Sequence, residues 1–315
     1  MSSLEDQKNA LANSLRELSS RYGEWTFDIP LPYGVWTKGN LQLPHTRLKR
    51  IVQIVSDLCA KPLSECRILD LACLDGLFSI EFAMHGAETV GVEIREANIK
   101  KAMFCKEALQ LTNLTFRQDD VRNVSSESYG TFDAIICSGI LYHLEARDVI
   151  NLCRSMYNMV TRVVVIDTHV SLWPVTKVVD GEQEYVGRHI REHADGDTPQ
   201  QKAKKLWASA DNSTSFWFTR PSLVNLLANA GFSSVYECFA PVHLNFGKAG
   251  LEHPDRCTFV AVKAPTCETL TSPSANFLKE KLPEGSLEYS MVDNQPRPLA
   301  RRLGGRLRRL VQRRP

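Results

Sequence analysis

Between residues 67 and 264 short apolar runs alternate with amphipathic stretches, and that alternation predicts the elements before composition is considered. RILDL (67–71), TVGVE (89–93), FDAIICS (132–138) and RVVVID (162–167) read as buried strands, with a shorter one at 114–117. Helices are expected between them: from Gly76 to about His85, at 95–110 and at 146–160. A further helix at 220–230 stops at Gly231, and SSVYECF (233–239) and CTFVAVKA (257–264) supply the last strands. Strands that alternate with helices imply an α/β fold, a doubly wound, seven-stranded, mostly parallel sheet with helices on both faces.

Other regions break this rhythm. In residues 3–20, Leu11, Leu15 and Leu18 recur on one helical face. Residues 24–44 carry three prolines, two glycines, Trp25 and Trp36, which predicts an ordered loop too aromatic for a linker; a helix follows at 46–60. A polar insertion at 170–215 is too long for a bare loop and is expected to be functional or to hold its own helices. The chain therefore divides into an N-terminal cap (1–60), a central domain (61–265) whose insertion faces the acceptor, and a linker with a basic tail (266–315).

Of the 38 Lys and Arg residues, eight are arginines after residue 296, which leaves 30 against 36 acids in the rest of the chain. That body is no basic platform for nucleic acid. In the tail, Leu299, Leu303, Leu307, Leu310 and Val311 share a helical stripe interrupted by Gly304 and Gly305, a pattern suited to contact with anionic lipid, equally to nonspecific contact with RNA, or to a plain solubilising end. The nine cysteines form no C-x-x-C pair and read as reduced thiols of a cytoplasmic protein, membrane-peripheral at most through the tail.

The chemistry concentrates in RILDLACLDGLFSIEFA (67–83) and VGVEIR (90–95): strand, tight turn, helix, second strand, then an acid at its end. Such an acid holds ribose hydroxyls. A dinucleotide, however, needs glycines to admit its pyrophosphate, and here Ala72 and Leu74 precede a single Gly76. Asp70 and Asp75 would also repel a pyrophosphate, whereas they suit a ligand with an ammonium and a sulfonium, which is S-adenosylmethionine. The stretch resembles motif I of class I S-adenosylmethionine-dependent methyltransferases, which are Rossmann-like. Asp70, Ala72, Leu74, Asp75 and Gly76 fall on that loop, Glu93 on the ribose acid, Asp120 and Val121 on the adenine segment, and Ser138 and Gly139 on the methionine end. The flanks IPLPYGVWTKGN, LYHL and LWASADNSTSFWFTRPSLVNLLANAGF resemble a subgroup that includes the tRNA wobble-uridine carboxymethyltransferase branch, in which residues at Lys38 and Tyr142 hold a carboxylated cofactor.

Methyl transfer needs proximity, orientation and, for an oxygen acceptor, a base. His143 and His169 follow strand ends on the expected face and are the candidate bases, with His143 ahead from the resemblance and Tyr142 beside it. Lys38, Arg188 and Trp217 are candidate acceptor contacts. His189 and His193 would share a face if helical, but no third ligand accompanies them and no metal is expected. The expectation is O-methylation of a small-molecule, sugar or glycolipid-type acceptor; the alternatives are a tRNA-modifying transferase and a non-catalytic cofactor-binding scaffold.

Overall fold

The computed structural model describes residues 3–39, 46–238 and 255–264. Helix α1 (Leu4–Tyr22) opens with a capping box in which Ser3 and Asp6 satisfy each other's backbone N–H groups. Helix α2 (Thr46–Leu58) buries Leu48, Ile51 and Val55, and strand β1 (Arg67–Leu71) follows. The chain then alternates through α3 (Leu77–Met84), β2 (Glu88–Glu93), α4 (Glu96–Ala108), β3 (Leu114–Gln118), α5 (Ser126–Tyr129), β4 (Phe132–Ser138), α6 (Ala146–Met159) and β5 (Val160–His169).

The seven-stranded sheet runs β3-β2-β1-β4-β5-β10-β9, where β9 is Ser234–Glu237 and β10 is Arg256–Val262. The first five strands are parallel, and β10 is antiparallel to both of its neighbours. Strands β1, β4 and β5 lie at the centre, which explains their nearly unbroken apolar sequences: both faces are covered. One core packs α6, α8 (Arg220–Ala230) and Phe259 on one face; the other packs α1 to α4 with Trp25 and Ile29. Helix α8 starts as its sequence predicts, with the Thr219 hydroxyl accepting from the Ser222 N–H, and its last turn ends at Gly231.

The insertion departs from expectation. It forms β6 (Thr176–Asp180), β7 (Gln183–Arg191), the short helix α7 (Pro199–Lys204) and β8 (Thr214–Phe218), and the three strands make a separate antiparallel sheet ordered β6-β7-β8. Asp180 pairs with Gln183 across Gly181 and Glu182, a two-residue hairpin that Gly181 permits at φ 62°. His189 and His193 therefore do not share a helical face. His189 lies on a strand with its ring edge-on to Phe216, while His193, beyond the strand, is buried with Nε2 donating to the Ser209 carbonyl at 2.8 Å.

The eight described cysteines are free thiols, seven of them buried. No helix among the described residues is long and apolar enough to cross a membrane. The linker and the arginine-rich tail lie outside the described residues.

Candidate active site

A pocket opens at the carboxyl ends of β1, β2, β3 and β4, where an α/β sheet presents its loops. The turn after β1 forms its floor. Ala72 and Leu74 sit at φ 54° and 52°, and Gly76 at 90°. Non-glycine residues enter this left-handed region at a cost of about 1–2 kcal/mol each, so the loop keeps the backbone path of a glycine-rich turn without its glycines. Gly76 itself has no substitute: a Cβ there would stand 2.7 Å from Phe116 Cζ.

Asp70, at the end of β1, is 2% exposed and accepts a 2.6 Å hydrogen bond from Ser79 Oγ. Burial pushes its carboxyl up to about 7, against the pull of the Ser79 hydroxyl. Glu93, at the end of β2, is 1% exposed and accepts from Leu74 N at 3.1 Å and Arg95 N at 2.8 Å. Burial raises its carboxyl as well, although both N–H groups and Arg95 oppose it. These contacts lock the loop after β1 to the loop after β2. Asp120 caps the turn after β3 by accepting from Arg122 N at 2.9 Å, and Val121 is buried beside it. Asp70, Ala72, Leu74, Glu93, Asp120, Val121, Ser138 and Gly139 all line this pocket.

Of the loop residues expected at the cofactor, Asp75 and Gly76 lie outside the pocket lining, and Asp75 has another task. It is fully buried, and its Oδ2 accepts from Thr26 N at 2.6 Å and Phe27 N at 3.1 Å. It fastens the N-terminal segment to the sheet and does not face the pocket. Lys101 completes the clasp through the Glu24 carbonyl at 2.8 Å. The aromatic that this segment lends to the pocket wall is Phe27; Trp25 is buried against Phe104.

Beyond Ser138 and Gly139, a single turn (Leu141–His143) brings Tyr142 and His143 to the wall. His143 Nδ1 lies 3.0 Å from one Glu192 oxygen and 3.2 Å from the other. Glu192 also accepts from Ser215 Oγ at 2.6 Å and Ser209 N at 2.9 Å. Burial would raise its carboxyl, but these partners prevail and hold it below the usual carboxylate range. A carboxylate only accepts, so Nδ1 carries the proton of a neutral His143 and Nε2 keeps its lone pair. Glu192 follows β7 and is invisible to motif reading, because its partner is 49 residues away in sequence.

His169 is placed differently. Its Nε2 lies 3.3 Å from Arg256 Nη1, its Nδ1 is 3.3 Å from Asp255, and its ring stacks on Trp217 with centroids 4.9 Å apart. Its ring also packs edge-on against Tyr142. Trp217 in turn donates from Nε1 to the Tyr142 carbonyl at 2.9 Å, and the Arg188 guanidinium lies over its ring at 5.4 Å. His169, Trp217 and Arg188 thus form a layer behind Tyr142, outside the pocket lining. Lys38 is exposed and also lies outside that lining; its N–H donates to Asp28.

Two arginines unmarked by any motif do reach the pocket. Arg47, on α2, and Arg256, on β10, share the buried Asp167 at 3.2 and 2.5 Å, and Arg256 Nη1 reaches the Tyr142 hydroxyl at 3.4 Å. Burial would raise the Asp167 carboxyl, but Arg256 and Arg47 hold it below its ordinary range. Among the described residues no His, Cys, Asp and Glu cluster suits a metal ion.

Known proteins resemble this chain in fold or in part of its sequence. The N-terminal domain of EvdMO1, solved in the presence of SAH and D-fucose, superposes with a TM-score of 0.59 at 23% identity, covering 81% of this chain and 97% of that domain. The ubiquinone biosynthesis O-methyltransferase of Acinetobacter baylyi is 26% identical over 91 residues, 29% of this chain and 38% of that enzyme. The mitochondrial counterpart from Bos taurus is 26% identical over 107 residues, 33% of this chain and 29% of that enzyme. The aligned part thus spans well under half of these curated relatives. A methyltransferase-domain family model matches residues 43–237, and the chain belongs to that family as an S-adenosylmethionine-dependent methyltransferase.

Proposed function

We propose that the protein methylates a hydroxyl of a small acceptor, with His143 as the general base and Glu192 as its orienting partner. The observation that carries this reading is the His143–Glu192 contact at 3.0 Å in the pocket wall. A neutral imidazole with Nδ1 engaged presents Nε2 to a proton donor, the tautomer that base catalysis requires. The two His169 nitrogens face Arg256 and Asp255, so His169 supports the wall and does not serve as the base.

The cofactor fits the strand-end loops. Glu93 would hold the ribose hydroxyls, and Asp120 and Val121 would flank the adenine. Asp70, Ser138 and Gly139 would line the methionine portion, with Arg47 and Arg256 offering charge to its carboxylate. S-adenosylmethionine supplies a methyl group already activated by its sulfonium. What remains for the protein is to align the acceptor oxygen, exclude water and take the hydroxyl proton onto His143 Nε2.

The acceptor would enter beside Tyr142 and His143, and the segment that follows α7 (206–211) is the part of the insertion that lines the pocket. Small acceptors are favoured: the curated relatives are O-methyltransferases of ubiquinone biosynthesis, and D-fucose accompanied the EvdMO1 domain. The carboxymethyl-transfer reading loses support from Lys38, which stands outside the pocket lining.

The test is transfer of a labelled methyl group to a panel of phenols, catechols and sugars, with His143→Gln as control. Loss of transfer with S-adenosylhomocysteine binding intact is expected. Undiminished transfer by His143→Gln would remove the base assignment.

A further inference from the structure

Two cofactor-facing acids are each followed, two residues on, by an arginine: Glu93-Ile94-Arg95 and Asp120-Val121-Arg122. Both guanidiniums turn to the same part of the insertion. Arg95 donates to the carbonyls of Ala203 (3.3 Å), Lys205 (3.0 Å) and Ala208 (2.8 Å). Arg122 bridges Asp120 and Asp211, both at 2.5 Å. The segment between these anchors supplies Leu206, Trp207, Ala208, Ser209, Ala210 and Asp211 to the pocket wall. Within it, Trp207 is 72% exposed although it lines the pocket.

The same segment reaches the base. Ser209 N donates to Glu192, and its carbonyl accepts from the buried His193. The Ser209 peptide is therefore gripped on both sides, and one of those grips is the carboxylate that orients His143.

We propose that Arg95 and Arg122 are positioning residues that latch segment 203–211 over the bound cofactor and, through the Ser209 N–H, set Glu192 against His143. The second half of this inference rests on His143 being the base. The latch makes base alignment depend on closure of the cofactor pocket, because the two arginines leave from the residues that flank the nucleoside. Arginine suits the role: its planar fork serves several carbonyls or two carboxylates at once, which a lysine ammonium on a flexible stem does not.

The test uses the full chain with S-adenosylhomocysteine as probe, comparing wild type, Arg95→Ala/Arg122→Ala and Glu192→Gln. Lys202, Lys204 and Lys205 lie at the edge of the latch and report its opening to trypsin. In wild type the probe should slow cleavage there roughly 10-fold, and in the double variant less than about 2-fold. The Ser209 amide resonance of the double variant should move toward its position in Glu192→Gln, a signature that a purely structural tie would not produce. Wild-type protection together with an unmoved Ser209 resonance in the double variant overturns the proposal. Should the double variant fail to fold, Asp211→Asn decides: it removes one arm at a half-exposed carboxylate and should reduce protection by about threefold, corresponding to a weak surface pair; full protection there counts against the latch. Failure of wild type to bind the probe would instead strike the cofactor site, a distinct outcome.

Discussion

The loops after β1 to β4 and the insertion between β5 and α8 contribute to one pocket, but they are built on different terms. The first set hangs from buried parallel strands. Asp70 and Glu93 are deeply buried, and Glu93 ties the loop after β1 to the loop after β2 by accepting from Leu74 N and Arg95 N. The insertion folds as a small antiparallel sheet whose strands β6 and β7 are polar and half-exposed, and it delivers Glu192 to a histidine carried by the first set. One region is a rigid receptor for the cofactor; the other completes the chemistry. A fold that supports many acceptors would vary the second and retain the first.

Substitutions can break this division of labour. The largest effect is expected for His143→Gln, a fall in transfer of about 10²–10⁴-fold, the usual contribution of a positioned base; its affinity for S-adenosylhomocysteine by calorimetry should stay within about twofold. Glu93→Ala should do the reverse and weaken that affinity by roughly 100-fold, since charge-assisted hydrogen bonds are worth about 1.5–3 kcal/mol. Retained affinity would mean that the ribose lies elsewhere.

Two smaller effects sharpen the contrast through pH. Burial raises the Asp70 carboxyl to about 7, above its unfolded value of about 3.9, so its ionisation costs stability that accrues as pH climbs between those values and levels off above about 7. Asp70→Asn should therefore raise the melting temperature more at pH 9 than at pH 6, by on the order of 1 kcal/mol. Equal gains at both would contradict the assigned burial cost. Glu192 behaves oppositely. Its folded carboxyl lies below the unfolded value of about 4.3. Its contribution is complete above that value and is lost as pH falls through the folded one. Glu192→Gln should lower the melting temperature at neutral pH and lose that effect as pH falls, so that the acid limb of the stability curve flattens. The smallest effect is expected for Leu74→Gly, where relief of a left-handed φ and the added backbone entropy nearly cancel, within about 0.5 kcal/mol by thermal melts.

The same contrast governs what the sequence discloses. Buried parallel strands write themselves as local apolar runs, so RILDL and FDAIICS announce both the sheet and the positions of Asp70 and Ser138. Glu93 and Asp120 are legible because each closes a strand or follows one. Ala72 and Leu74 hide the loop, since nothing in either residue type signals a positive φ. The insertion is less legible because β6 and β7 mix charged and polar residues with their apolar ones. The spacing of His189 and His193 suggests a helix, although Asp180-Gly181 before an alternating stretch is a hairpin signal that points to strands. Glu192, Arg47 and Arg256 are out of reach for a different reason: they meet the pocket through contacts that span 49 or more residues, and only the folded chain brings them there. Asp75 shows the converse, a motif residue diverted to hold the N-terminal segment.

The division of labour between the two regions is tested most directly by one preparation of Glu192→Gln, in which S-adenosylhomocysteine affinity and methyl transfer to an acceptor turned over by wild type are measured together. The account predicts affinity within about threefold of wild type and transfer reduced at least about 10-fold, because the base is misoriented while the cofactor loops are intact. Transfer at the wild-type rate, or affinity falling in step with transfer, would contradict it.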